Sequence, residues 1–159
     1  MKLKLKNTLF QNILEVLALL ILISTIALLI FRWGELPSKI PGHYNIAGEV
    51  DRWGNKIELI IVPIFSIVLY LLFTVIIFFP SIWNMPVSVT DRNKEKVYSC
   101  VKSMLQLMKV EIMAIFFWIN YNSMEAKSMH PMFLPILLLV VFGTLTYYLV
   151  KTVKLSKDN

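Results

Sequence analysis

Residues 36–56 have the sequence LPSKIPGHYNIAGEVDRWGNK and separate two long apolar segments. Proline, glycine, histidine, acidic residues and tryptophan are concentrated in this stretch, whereas most of the remaining chain is apolar. Proline and glycine impose backbone angles that favour extended arms and turns. We therefore predict a structured loop over residues 33–58, and we expect any specific function to lie there.

The first part of this loop contains two apolar residues that are each followed by proline. Pro37 and Pro41 fix their own φ angles and push Leu36 and Ile40 toward extended conformations. The spacing predicts a stiff extended arm, and we expect its two apolar side chains to pack on the ends of the neighbouring helices.

The second part of the loop contains two glycines in polar surroundings. Glycine readily adopts the positive φ that many tight turns need. We predict one turn around Gly48 and another around Gly54. Tyr44 and Trp53 are expected to hold the small structure together.

The same loop carries side chains that can bind a metal ion. His43, Glu49 and Asp51 provide one imidazole and two carboxylates, and His130 from a later loop could join them. Such ligands suit zinc or another divalent metal. The alternative is structural, with His43 bonded to a turn carbonyl and Asp51 capping a turn. Whether this set binds a metal stays open from the sequence.

The segments on either side of the loop indicate an integral membrane protein. The 159 residues are 57% hydrophobic, with a mean hydropathy of +0.68, whereas soluble domains are roughly 45–50% apolar. We predict an all-α fold, a single membrane domain over residues 1–159 with four transmembrane helices in one bundle. The predicted helices are at about 8–31, 59–79, 97–121 and 132–150.

The third predicted helix is the most polar of the four. Lys102, Gln106 and Lys109 are spaced so that they share one helical face. Charges within a membrane segment need partners or water, and Glu15 of the first helix could pair with Lys109 or Lys102. A polar path that also includes Glu111 is the functional alternative to such a structural pair.

Lysine and arginine counts predict the orientation, because these residues are more frequent on the cytoplasmic side. A cytoplasmic N-terminus places ten inside and five outside. The ten are Lys2, Lys4, Lys6, Arg92, Lys94, Lys96, Lys102, Lys151, Lys154 and Lys157, and the five are Arg32, Lys39, Arg52, Lys56 and Lys127. Both termini are then cytoplasmic and the loop external. The net charge of +6 is explained by these positions next to lipid head groups, so no nucleic-acid partner is expected.

The loop resembles a bacterial membrane family through the pattern L-P-x-x-I-P-x-H-x-x-x-x-G-x-x-D-x-x-G-x-K. The matching residues are Leu36, Pro37, Ile40, Pro41, His43, Gly48, Asp51, Gly54 and Lys56. In that family the pattern marks a domain of unknown function in the N-terminal part of SdpI-type immunity proteins. The loop there joins the first two membrane helices, and some members protect against a secreted antimicrobial peptide. SdpI-type proteins carry further membrane segments beyond the four predicted here.

The resemblance implies a multi-pass protein of the bacterial plasma membrane with a non-enzymatic role in immunity, resistance or signalling. We expect the external loop to bind an antimicrobial peptide or an envelope ligand, with membrane lipids and a partner membrane protein as further contacts and no cofactor. The expected ligand-binding residues are His43, Tyr44, Asp51, Trp53 and Lys56. Two alternatives are a transport or accessory subunit that uses Glu15, Lys109 and Glu111, and a metal-dependent membrane hydrolase that uses His43, Glu49 and Asp51.

Overall fold

The structure is a computed structural model that describes residues 6–157, so Lys2 and Lys4 lie outside the described residues. It is mostly helical, with one small sheet between the first two helices. The elements are helix α1 (Leu9–Arg32), strands β1 (Lys39–Tyr44) and β2 (Val50–Asn55), and helices α2 (Ile61–Phe78), α3 (Lys94–Met124) and α4 (Phe133–Lys157). Short 3₁₀ helices at Lys56–Ile60 and Pro80–Ile82 flank α2.

Four helices are present at the predicted places, but the prediction of an all-α fold missed the sheet. The loop forms an antiparallel β-hairpin. Helices α3 and α4 are also longer than predicted, because the charged residues that end each apolar run do not end the helix. Lysine and glutamate are good helix formers, so α4 continues through Lys151 and Lys154 to Lys157.

Helix α3 is the centre of the bundle and packs against α1, α2 and α4. Its predicted polar face is buried, with Lys102, Gln106 and Lys109 at most 7% exposed. Around it, the outer surfaces of the other helices carry many exposed apolar side chains. Within the part of the chain that the structure describes, three helical stretches are long and apolar enough to cross a membrane. These are Leu9–Arg32, Lys56–Phe78 and Phe133–Lys157. Helix α3, which we predicted as the third of four transmembrane helices, is not one of them, because lysine and glutamate residues are distributed along it.

Polar contacts at both ends show that α1 and α3 run parallel. Near the N-terminal end of α1, the Gln11 amide donates to the backbone carbonyl of Ser99 at 3.1 Å and to Ser103 at 2.9 Å. At the other end, Arg32 forms an ion pair with Glu125, directly after α3. The hairpin, the end of α3 and the start of α4 therefore lie at the same end of the bundle.

Candidate functional site

The hairpin has an irregular register that determines which side chains meet. Strand β1 pairs with β2 from Lys39 opposite Asn55 to Tyr44 opposite Val50, and the register skips Gly42 and Asp51. Irregular pairing of this kind re-aims side chains and is frequent at functional sites.

The turn of the hairpin depends on Gly48, as predicted. Gly48 has a φ of +83°, a backbone conformation that costs little only for glycine. Its N–H donates to the carbonyl of Asn45, and its carbonyl accepts a 2.8 Å hydrogen bond from the N–H of Met129. A Cβ atom at this position would lie 2.6 Å from the Met129 carbonyl oxygen. The glycine is thus required both for the turn and for its contact with the loop before α4.

The apolar arm packs into the bundle, as the proline spacing predicted. Leu36 and Ile40 are 6% and 1% exposed. They belong to a cluster with Leu29 of α1, Leu59 and Met124 of α3. Because this cluster joins the hairpin to three helical segments, the hairpin is fixed to the bundle by burial of apolar surface.

Tyr44 is a second attachment point, whereas Trp53 is not. The Tyr44 hydroxyl shares a 3.2 Å hydrogen bond with Ser123 Oγ of α3. Burial raises the pKa of the Tyr44 hydroxyl, and the bond to Ser123 opposes this only in part. Trp53 is 54% exposed, so the prediction that it would hold the loop together is wrong. It lies on β2, where an indole can stay in contact with solvent or a membrane surface.

Gly54 serves close packing rather than the predicted turn. It lies within β2, and a Cβ atom there would collide with the Glu58 carboxylate. That carboxylate accepts hydrogen bonds from the Arg52 guanidinium at 2.9 Å and from the backbone N–H of Asn55 at 3.1 Å. The Arg52 guanidinium also donates to the Gly42 carbonyl at 2.7 Å. These contacts brace the base of the hairpin against the helix that follows.

His43 and Asp51 form a pair on the exposed surface of the hairpin. His43 Nδ1 lies 2.6 Å from Asp51 Oδ1, and the two side chains are 65% and 43% exposed. An ionised carboxylate only accepts hydrogen bonds, so Nδ1 must carry the proton in this bond. In the neutral ring this leaves Nε2 as an acceptor. Asp51 therefore does not cap a turn, as the structural alternative expected, but orients the His43 imidazole.

The pair borders an open groove of about 740 Å³ between the hairpin and the start of α4. Its lining is part polar and part apolar: His43, Tyr44, Asn45, Ile46, Ala47, Asp51, Phe133 and Leu134. Three of the five predicted ligand-binding residues lie here. Trp53 and Lys56 do not, and Lys56 instead lies with its ammonium 5.1 Å from the centre of the Trp33 ring.

The four metal-ligand candidates do not form one cluster. The Glu49 carboxylate accepts a hydrogen bond from the Asn45 amide at 2.9 Å. His130 Nδ1 accepts one from the backbone N–H of Met132 at 3.2 Å. Among residues 6–157, no group of three or more His, Cys, Asp or Glu side chains could hold a metal ion.

A second polar cluster lies between the helices and contains the ion pair of Glu15 with Lys109, one of the two pairings predicted for Glu15. Lys109 Nζ lies 2.7 Å from Glu15 Oε1 and donates to Thr74 Oγ1 at 2.7 Å. Tyr70 donates to the same Glu15 oxygen at 2.7 Å, and its ring centre lies 3.7 Å from the ammonium. Glu111 is not part of this cluster, since it accepts a 2.5 Å hydrogen bond from Thr144 of α4.

The sequence did not indicate several residues of these sites. Tyr70 and Thr74 are four positions apart on α2 and therefore share a face. This spacing is the one feature of the sequence that could have indicated their part in the Glu15–Lys109 cluster. Phe133 and Leu134 looked like ordinary membrane-helix residues. Their place beside the hairpin follows from tertiary packing.

Comparison with family models points to the part of the chain that contains the hairpin. Residues 19–67 match the model of a domain of unknown function (DUF1648). This match covers the second half of α1, the hairpin and the start of α2, which is less than half of the chain. An uncharacterized protein of Archaeoglobus fulgidus is 38% identical over 62 residues, an alignment that covers 34% of this chain and 34% of that protein. The similarity thus spans about a third of that relative's length. No solved structure matches the chain significantly.

Proposed function

We propose that the protein is a non-enzymatic plasma-membrane protein of the SdpI-like immunity, resistance or signalling type. Its external hairpin would bind a peptide or an envelope ligand in the groove beside α4. The observation that carries this proposal is the exposed His43–Asp51 pair on a hairpin that is firmly attached to the bundle. A binding site needs side chains held in place before the ligand arrives.

The composition of the groove suits an amphipathic peptide. Ile46, Phe133 and Leu134 offer apolar contact surface, while Asp51 and the His43 Nε2 atom accept hydrogen bonds from a ligand. Small-molecule and peptide sites commonly combine an apolar lining with a few fixed polar groups. Protection would follow if the bound peptide were kept from the membrane or if binding altered a partner protein.

The two alternatives have less support. Glu15 and Lys109 contact each other, but Glu111 is directed to α4, so the three residues do not form one path for a transported ion. A metal-dependent hydrolase would need at least three converging ligands. His43 and Asp51 contact each other, but the Glu49 carboxylate is bonded to Asn45 instead, and no group of three such ligands occurs among residues 6–157.

The proposal is tested by survival of a bacterial host that expresses the protein during challenge with a panel of membrane-active peptides. Wild type should protect against at least one peptide, and His43→Ala and Asp51→Ala should lose that protection. Asp91→Ala is the matched control, because Asp91 is an exposed aspartate outside the groove, 96% exposed in its side chain. Membrane levels of all variants are matched by quantitative blotting.

Two results would contradict the proposal. Wild type that protects against none of the peptides argues against a resistance role. Protection that survives in both hairpin variants would move the site away from the His43–Asp51 pair. Asp51→Asn removes the charge but keeps an oxygen that can accept the hydrogen bond from His43 Nδ1. We expect it to keep more protection than Asp51→Ala if that hydrogen bond orients the imidazole.

A further inference from the structure

The end of α1 and the start of α2 enclose a second cleft, which shares no lining residue with the groove beside the hairpin. Its volume is about 420 Å³ and its lining is almost entirely apolar. The lining residues recur every three or four positions on each helix, so each helix contributes one continuous face. They are Ile26, Leu29, Ile30 and Trp33 from the α1 side and Ile60, Pro63, Ile64 and Ile67 from the α2 side.

The walls of the cleft belong to two of the helical stretches that are long and apolar enough to cross a membrane. From Trp33 to Ile26 the cleft extends about 10 Å along α1, at 1.5 Å per residue. One leaflet contributes about half of a bilayer core of ~30 Å. The cleft therefore has the depth of the upper part of a lipid chain in a single leaflet.

A cation lies at the mouth of the cleft. Lys56 Nζ is 5.1 Å from the centre of the Trp33 ring, and Trp33 is itself a lining residue. Lys56 forms no ion pair with any carboxylate among residues 6–157. Arg32, the other cation at this end of α1, is neutralised by Glu35 and Glu125. A tryptophan with a lysine marks the level of lipid head groups.

We propose that this cleft binds one anionic phospholipid, with an acyl chain against α1 and α2 and the phosphate next to Lys56. The apolar lining accounts for the chain, and the unpaired ammonium accounts for the negative head group. This assigns Lys56 to lipid binding rather than to the hairpin groove, and it is independent of the function proposed for that groove.

Native mass spectrometry of the full-length protein, released from nanodiscs of phosphatidylglycerol and phosphatidylcholine in equal amounts, tests the proposal. Wild type should retain one lipid and prefer phosphatidylglycerol. Lys56→Gln should reduce that preference about fivefold, since one lysine near a membrane surface contributes about 1 kcal/mol toward anionic lipid. Lys127→Gln removes an exposed lysine that is already paired with Glu125, at 3.2 Å, and it should leave the preference unchanged.

Ile64→Trp fills the cleft and should reduce retention of both lipids, which separates chain binding from head-group binding. Circular dichroism verifies that each variant is folded. The proposal is overturned if Lys56→Gln and Lys127→Gln behave alike, or if Ile64→Trp retains lipid as wild type does. It is also overturned if a second copy of the chain occupies the cleft, seen as a dimer that Ile64→Trp dissociates.

Discussion

The buried ion pair between Glu15 and Lys109 should respond unequally to loss of its two members. The Lys109 side chain is 1% exposed, whereas that of Glu15 is 33% exposed. Glu15→Gln therefore leaves a buried ammonium without its anion, while the uncharged contacts with Thr74 Oγ1 and the Tyr70 ring remain. Breaking a buried pair in this way costs about 3–5 kcal/mol of unfolding free energy.

Removal of the lysine should cost less. Lys109→Met leaves a carboxylate that still accepts the Tyr70 hydrogen bond and is partly exposed, so we expect a loss of about 1–3 kcal/mol. The double variant Glu15→Gln/Lys109→Met contains no stranded charge. A protein with a buried ion pair and one with an uncharged replacement are often nearly equal in stability. The unfolding free energy of the double variant should therefore be at least about 2 kcal/mol higher than that of Glu15→Gln.

Unfolding free energies would be measured in mixed micelles by denaturant titration, followed by circular dichroism. Glu95→Gln, an exposed change in the first turn of α3, serves as the control and should change stability by less than about 1 kcal/mol. The reasoning fails if Glu15→Gln costs no more than Glu95→Gln. It also fails if the losses of the two single variants simply add in the double variant.

Three further predictions concern the end of the bundle that carries the hairpin. Gly48→Ala should lower the free energy of unfolding by about 1–2 kcal/mol, because alanine is strained at a positive φ. It should also break the hydrogen bond from the Met129 N–H, seen as faster hydrogen exchange of that amide, and unchanged exchange would refute this. Ile40→Ala should lower the free energy of unfolding by about 2–5 kcal/mol and make proteolysis of the hairpin faster. An unchanged cleavage rate would show that Ile40 does not hold the hairpin to the bundle. The Arg32 guanidinium lowers the pKa of the Glu125 carboxyl, and Lys127 lowers it further. The ion pair between Arg32 and Glu125 therefore stabilises the fold fully above the unfolded-state pKa of about 4.3. This stabilisation is lost as the pH falls through the lower pKa of the folded state. The stability of Glu125→Gln should consequently depend less on pH than that of wild type between about pH 5 and pH 2, and parallel pH curves would contradict the assignment.

The sequence predicted the parts of the fold that depend on local chemistry. Apolar runs located the four helices, and the spacing of Lys102, Gln106 and Lys109 identified a shared face that is buried in the structure. Proline spacing predicted that Leu36 and Ile40 would pack on the bundle. Each of these features follows from residue type and periodicity alone.

The sequence did not predict the hairpin, because neither strand alternates between apolar and polar residues. Strand β1 is KIPGHY and β2 is VDRWGN, so the two-residue period that identifies a half-buried strand is missing. A turn at Gly54 is the wrong prediction because glycine has the same local signature whether it supplies a positive φ or makes room for a neighbour. Only the approach of Glu58 distinguishes the two roles.

The site was predicted only as far as its residues lie in the hairpin. His43 and Asp51 were both singled out, but the skipped register position that brings them together depends on how the strands pair. The groove also needs Phe133 and Leu134, which follow His43 and Asp51 by 82 to 91 residues along the chain and have no local signal. Lys56 is part of the same motif but lies on a different surface, because it is the first residue of the 3₁₀ helix that precedes α2.

The central claim is that the hairpin and its groove face the outside of the cell. Cysteine labelling with a membrane-impermeant maleimide tests it directly. The single cysteine of the chain, the buried Cys100, is first replaced by serine, and either Ile46→Cys at the hairpin tip or Lys154→Cys near the end of α4 is then introduced. Both positions are exposed in the structure. We predict that Ile46→Cys is labelled in intact cells and that Lys154→Cys is labelled only after the membrane is permeabilised. Labelling of Lys154→Cys but not Ile46→Cys in intact cells would place the hairpin inside and contradict the account.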